Sequence, residues 1–454
     1  MPQPAKPAPS PLASHWSLDP AIVYLNHGSF GATPTRVLEA HSALRARMES
    51  EAVRFFVEEL QETMDASRRA VGALVDCAWD ELAMVTNATV GVATALENCP
   101  LGPGDEILVN DHEYPACLNN ARRIAARVGA KVVTVTLPWP LPSGCSADEA
   151  ESLIASTILG GVTPRTKVAL ISHVTSPSGL VLPIDRIIPT LRSRGIRTVI
   201  DGAHAPGMVP SLSIRALDCD YYTANCHKWI CSPKGSAFLF VRRELHPTTR
   251  PLVLSNNAEN PKPGRAQFLT EFDFLGTADA SSILAIPEAI RTMEAIGGSL
   301  PSPLQRGEVA ESARPERGTA ATTGMTTAPH LAASYPGFVA LMRHNRDLAL
   351  RARRLITGAM NIPAIAPESM IGTIASIFIP RAGPNAAPST RPPQRRYADS
   401  LQERVIDRWG IQVPIWWVPG TPQRLVRISA QAYNTFAQYE YLVEALESEL
   451  AAER

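Results

Sequence analysis

From residue 55 to residue 241, short apolar runs alternate with longer amphipathic stretches. The runs, rich in β-branched residues, are Ile107–Val109, Lys131–Leu137, Lys167–Val174, Thr198–Ile200 and Ala237–Val241. The stretches with helical spacing are Phe55–Val75, Ala88–Asn98, Pro115–Val128, Ala147–Thr157 and Ile184–Arg194. Near-continuous apolar strands alternating with helices predict an α/β domain whose mostly parallel sheet is covered by helices on both faces. The C-terminal third reads differently. Helical patterns over Ile283–Ile296 and Gly337–Leu355 are followed by strand-like Gly372–Ile379 and Leu425–Ser429, then a helix from Phe436. This predicts a second, smaller α+β domain.

Proline marks the interruptions. Met1–Ser14 holds five prolines, and Pro380–Arg396 holds five prolines, four arginines and no acid. Between Gly276 and Ser334 there is no aromatic residue, and a Thr-Ala-Ala-Thr-Thr run occupies 319–323. Such segments bury too little apolar surface to order themselves. The expected organisation is a disordered tail over 1–20 and a large domain with an N-terminal arm over 21–288. A small domain over 289–454 follows, carrying a disordered insertion at 298–336 and a flexible loop at 380–396.

Lys plus Arg and Asp plus Glu both number 43 in the 454 residues, which argues against a nucleic-acid partner recognised through a basic surface. No run approaches the ~18 apolar residues of a membrane span. The N-terminal stretch lacks the apolar core of a secretory signal. The seven cysteines form no CxxC pair and none lies beyond Cys231, so neither a disulfide framework nor a metal site is expected. These features together predict a cytoplasmic protein.

Two sites carry candidate chemistry. Val199-Ile200-Asp201-Gly202-Ala203-His204 puts a carboxylate at the end of a buried strand, the edge where such sheets bind ligands. Asn225-Cys226-His227-Lys228-Trp229 puts a lysine after another strand-like segment. An Asp and a Lys so placed suit pyridoxal phosphate, the Asp keeping the ring nitrogen protonated and the Lys holding the aldehyde as a Schiff base. Taken alone, the same residues also fit an Asp capping a turn and a solvated Lys. Thr86-Asn87-Ala88-Thr89-Val90-Gly91 lies where a strand gives way to a helix, which is either an anion cradle or an ordinary N-cap.

Several ordered motifs go further. They are Tyr24-Leu25-Asn26-His27-Gly28-Ser29-Phe30-Gly31, Asp111-His112-Glu113-Tyr114-Pro115, Ser172-His173-Val174-Thr175-Ser176-Pro177-Ser178-Gly179, Asp201-Gly202-Ala203-His204, Cys226-His227-Lys228-Trp229 with Pro233-Lys234-Gly235, and Val426-Arg427-Ile428-Ser429. In that order they resemble the class V aminotransferase superfamily of fold-type I pyridoxal-phosphate enzymes. The resemblance is to its isopenicillin N epimerase-like branch, which also holds hercynylcysteine sulfoxide lyases. It covers residues 22–295 and 337–450.

The resemblance implies pyridoxal 5'-phosphate as cofactor, Lys228 as Schiff-base lysine and Asp201 as partner of the ring nitrogen. It places His204 on the ring-hydroxyl side and His112 on the cofactor face. Ser176 stands where many relatives carry an Asn near the ring hydroxyl. Ala88, Thr89, Asn225 and His227 fall at the phosphate. Thr277 lies in a segment that relatives supply from a partner subunit, which implies a homodimer with shared sites. Arg427 matches the clamp for the substrate α-carboxylate, and Asn26 and His27 are candidate substrate contacts in a loop over the site. Trp416 and Trp417 either wall a substrate pocket or pack domains.

The partner is expected to be a small-molecule amino-acid substrate. Family desulfurases use a Cys in the C-terminal third, and this chain has none there. A β-eliminating C–S lyase acting on a cysteine-derived thioether or sulfoxide is therefore the leading expectation, with Tyr114 as acid for the leaving group. Tyr114 would otherwise simply pack the ring. The alternatives are an epimerase or other Cα-chemistry enzyme, and a non-catalytic binding subunit on the same fold.

Overall fold

The computed structural model describes residues 5–300, 325–386, 399–417 and 423–454. Its strands are β1 (Val23–Tyr24), β2 (Leu82–Val85), β3 (Glu106–Asn110), β4 (Lys131–Val135), β5 (Thr166–Ser172), β6 (Arg197–Asp201), β7 (Tyr221–Asn225), β8 (Ala237–Val241), β9 (Ile374–Ile379), β10 (Ile411–Gln412), β11 (Ile415–Trp417) and β12 (Arg424–Ser429). The helices that position the site are α1 (Ala88–Glu97), α2 (Pro115–Val128), α3 (Ile286–Gly298) and α4 (Pro336–Met360).

A seven-stranded sheet runs in the order β2-β8-β7-β6-β5-β3-β4, and within it only β8 opposes its neighbours. Adjacent residues of one strand face opposite sides. Val199 accordingly joins one apolar cluster and Ile200 the other, and Ile107 and Leu108 divide in the same way. Both faces are thus buried, as expected for a mostly parallel sheet. Chain order reverses between β3 and β5, so the crevice past their carboxyl ends is where a ligand belongs in such a sheet. The small domain is built on the antiparallel sheet β11-β12-β9 and on α4, 25 residues long. Strand β1 leaves the large domain to pair with β10.

The segments expected to be disordered differ from that expectation wherever they are described. In the N-terminal tail, the Ser10 amide donates to the Tyr433 carbonyl at 3.0 Å, and Thr435 Oγ1 donates to Ala8 O at 3.0 Å. Trp16 is buried and donates its indole N–H to Ala32 O. Its ring, edge-on to Tyr433, contributes the apolar surface that a composition-based reading of this proline-rich stretch discounts. In the insertion, Pro329–Ser334 forms a helix, Leu331 is buried and the Ala328 amide donates to Pro210 O. Its residues 301–324 lie outside the described residues, as do 387–398 of the proline- and arginine-rich loop.

Candidate active site

A cavity of about 540 Å³ opens at the carboxyl ends of the parallel strands. Ser172, Asp201 and Asn225, the last residues of β5, β6 and β7, form its floor. Ser172 and Asp201 are register partners, so the ladder itself sets the spacing of these side chains.

Lys228 reaches the cavity from the turn after β7, and its Nζ lies 2.9 Å from His204 Nε2. Burial and the lysine's charge hold His204 well below the usual imidazole range, so the neutral ring accepts from Lys228. The other nitrogen, Nδ1, is buried without a partner among the described residues. Asp201 Oδ1 accepts from the Ala203 amide at 3.0 Å, and Oδ2 from the Cys117 thiol at 3.3 Å. Burial raises its pKa, opposed by these donors and by Lys228.

Behind Asp201 sits Glu113, a second buried carboxyl. It accepts from the Ser172 amide at 2.8 Å, from Ser172 Oγ at 2.5 Å and from Asn110 Nδ2. Burial, with Asp201 adding to it, pushes its pKa up to about 8. Sequence reading singled out no role for Glu113 or Cys117, since only the turn into α2 brings them beside Asp201.

At the start of α1, Asn87 caps the helix through its side-chain oxygen and the Val90 amide, 2.9 Å apart. The Ala88 amide donates to Asn225 Oδ1 at 2.9 Å. Asn225 and Ala88, expected as direct phosphate contacts, are therefore engaged with each other, and Asn225 pins the cradle in place. Thr89 lines the cavity beside them, and so does His227, whose Nδ1 lies 3.2 Å from Ser236 O. Burial, reinforced by Lys228, lowers the His227 pKa to about 4.

The opposite wall comes from distant segments, Ser29, Phe30 and Ser176; Arg427, expected to face the substrate, is buried behind Ser29 and Ser176 and is absent from the lining. Arg427 Nη1 donates to Ser176 O at 2.5 Å, and Nη2 donates to Ser29 Oγ at 3.0 Å. The guanidinium lies 5.1 Å from the Trp416 ring centre. Neighbouring Arg424 is instead fully engaged in the core, with Asp399 at 3.0 Å and with Glu453. Trp417 lies under Arg424 and is exposed.

Three expected contacts move. His27 is fully buried and does not line the cavity. Its Nδ1 lies 2.9 Å from Tyr433 Oη and its Nε2 lies 3.1 Å from Lys228 O, so it braces the lysine's backbone from behind. Burial lowers its pKa to about 3, which keeps the ring neutral. Asn26 is buried too and accepts from Ser29 Oγ at 2.6 Å, so it orients Ser29 and does not face a ligand. His112 turns to Ser178 Oγ at 2.8 Å and packs edge-on to Trp139, leaving Tyr114 as the cavity-lining member of its motif. The loop from Asn26 instead contributes Ser29 and the exposed Phe30. Thr277 is exposed and absent from this lining.

Residues 23–300 match the aminotransferase class-V family, more than half of the chain. The chain belongs to that family. The isopenicillin N epimerase of Amycolatopsis lactamdurans is 30% identical to this family member over 95% of this chain and 96% of its own. The L-cysteine desulfhydrase of Arabidopsis thaliana is 24% identical, over 94% of this chain and 87% of its own. Among solved structures, a C-DES mutant with glycine covalently linked to its pyridoxal-phosphate cofactor superposes with a TM-score of 0.69. It is 19% identical and covers 94% of this chain and 96% of its own, a likeness of fold. Pyridoxal phosphate, expected from the sequence, is the cofactor of this family. The residues present fit it: a cavity-facing lysine, a buried carboxylate opposite, an imidazole with an unpartnered buried nitrogen and a helix start.

Proposed function

We propose that this protein is a pyridoxal-phosphate enzyme that breaks the Cβ–S bond of a cysteine-derived amino acid. The observation that carries this reading is the cavity's inventory. Lys228 and Tyr114 line it together, and none of the seven cysteines does. Burial raises the pKa of Cys117, the thiol bonded to Asp201, well above the ordinary value, which keeps it protonated and a poor nucleophile. Persulfide transfer therefore has no thiolate nucleophile here, whereas elimination needs only a base and an acid.

Lys228 would hold the cofactor, with Asp201 facing its ring nitrogen, His204 its hydroxyl side, and Thr89 with the α1 start its phosphate. Bound there, the cofactor supplies the electron sink for charge at Cα. Arg427 binds the substrate carboxylate as a planar fork and fixes which Cα bond is presented. Lys228, once free, takes the Cα proton. The Cβ–S pair leaves with sulfur, and Tyr114 gives that sulfur its proton. The remaining enamine hydrolyses to pyruvate and ammonium.

The test is pyruvate release by cofactor-loaded protein from hercynylcysteine sulfoxide, cystine and cysteine. Tyr114→Phe should lower that rate ~10²–10⁴-fold, the usual contribution of a positioned acid. An unchanged rate removes Tyr114 from the chemistry. A second reading, epimerisation, draws on the similarity to isopenicillin N epimerases, which runs nearly the whole length of the chain. Solvent deuterium at Cα with no pyruvate would select it.

The same proposal includes a homodimer. Leu252, Val253, Leu254 and Leu275 are 42%, 58%, 55% and 39% exposed, and Ser255 hydrogen-bonds Phe274 O, which brings the two segments together. Exposed Thr277 sits at the edge of this patch and would reach the partner's phosphate site. Sedimentation should show a dimer whose Thr277→Ala variant binds cofactor more weakly. A monomer with full cofactor affinity would overturn this.

A further inference from the structure

A second cavity, of about 260 Å³, lies away from the active site between the 142–145 loop of the large domain and small-domain residues Arg353, Arg354, Thr357, Ala364 and 366–368. The space far exceeds the ~10–15 Å³ that one water requires. Its polar chemistry is unbalanced. Arg353 is only 2% exposed. Its Nη2 donates to the Ala366 carbonyl, and its Nε is buried with no partner among the described residues. The one carboxylate in the lining, Glu368, is committed elsewhere: its two oxygens accept Nε and Nη2 of Arg354, each at 2.6 Å.

Two guanidiniums thus share one carboxylate, and the buried one lacks an ion-pair partner among the described residues. A buried unpaired cation is costly, and burial accordingly lowers the Arg353 pKa. Arginine's planar fork matches the oxygens of phosphate or sulfate. The Arg354 side chain is 61% exposed, so the cavity is open to solvent from its side. The two domains already meet here, where the Leu141 amide donates to Ile365 O at 3.0 Å.

We propose that this cavity binds a small tetrahedral oxyanion, free phosphate or sulfate, held by Arg353 with Arg354 at its mouth. The bound ion neutralises the excess positive charge and ties the 142–145 loop to α4. It therefore stabilises the contact between the domains without touching the reacting atoms.

The experiment is isothermal titration calorimetry of inorganic phosphate, and separately sulfate, into full-length protein saturated with pyridoxal phosphate. Saturation fills the cofactor's own phosphate cradle. Saturable binding is expected, together with a rise in thermal midpoint over chloride at equal ionic strength. Arg353→Met should raise the Kd at least about tenfold, a change of about 1.4 kcal/mol. Arg354→Gln, at the exposed mouth, tests the same site if the buried substitution does not fold. Arg427→Met should leave the binding intact. Loss of binding in Arg427→Met, or an unchanged Kd in Arg353→Met or Arg354→Gln, would move the ion elsewhere and overturn the proposal. Absence of saturable binding would also overturn it. Glycerol phosphate in place of phosphate separates a free ion from a phosphoryl ester, and equal or tighter binding of the ester would refute the free-ion assignment.

Discussion

The wall that carries Lys228 and the wall that Arg427 backs differ in how far apart their parts lie along the chain. Ser172, Asp201 and Asn225 end three adjacent strands, and the ladder hydrogen bonds fix their spacing. Lys228 follows three residues after Asn225. The Arg427 wall instead joins residues separated by 398 and 251 positions, Ser29 and Ser176. The first wall holds as long as the sheet holds. The second exists only when the N-terminal loop, the large domain and β12 are all in place. Cofactor binding and substrate binding should therefore respond separately to mutation.

Arg427→Met gives the sharpest version of that contrast. Removing one member of a buried hydrogen-bonded charge group costs about 2–5 kcal/mol, so kcat/KM should fall ~30-fold or more. Cofactor affinity, read from the bound cofactor's visible absorbance, should not change. If both fall together, the walls are one cooperative unit.

Gly31→Ala strikes where the two walls touch. Gly31 has φ +71, and a Cβ there would sit 2.0 Å from the His227 carbonyl oxygen, next to Lys228. Backbone cannot yield cheaply, so a loss of about 1–3 kcal/mol in stability is expected, with weakened cofactor binding. A variant that melts like the parent would show that the N-terminal loop is not clamped to the lysine turn.

Glu113→Gln has the smallest expected effect and concerns the Lys228 wall alone. Glu113 has a folded pKa raised from 4.5 to about 8, so between these values the native state holds the proton more tightly than the unfolded chain. Its contribution to stability is full below about 4.5 and is lost as pH rises through about 8. Glutamine copies the protonated form and can keep the Ser172 and Asn110 hydrogen bonds. The variant should lose less stability than the parent between neutral and mildly alkaline pH, measured by denaturant titration. An identical pH dependence would mean that Glu113 does not hold its proton in the native state.

Much of the Lys228 wall was legible because local rules produce it. A β-branched run ending in Asp, an Asn-capped helix start and a lysine just past a strand are each marked by neighbours in sequence. Their meeting follows from parallel-sheet topology. The departures cluster where contacts are long-range. Whether His27 faces the cavity or braces Lys228 O depends on Tyr433, 406 residues away. Whether Arg424 or Arg427 backs the cavity wall at Ser29 and Ser176 depends on Asp399 and Glu453 claiming the former.

Hydrophobic periodicity and the ordered motifs by themselves determined the α/β class and the family with its cofactor, and they singled out Lys228 and Asp201 as the residues proposed to hold it. Periodicity records which face of each element is buried, and motifs record chemistry confined to a few adjacent residues. Tertiary structure alone decided which side chains of one loop face the cavity, that Asn225 holds Ala88 and that the proline-rich tail packs on Tyr433. It also left Arg353 with no carboxylate of its own among the described residues. Those outcomes depend on which distant group arrives to satisfy each buried polar atom, and no local pattern in the chain encodes that arrival.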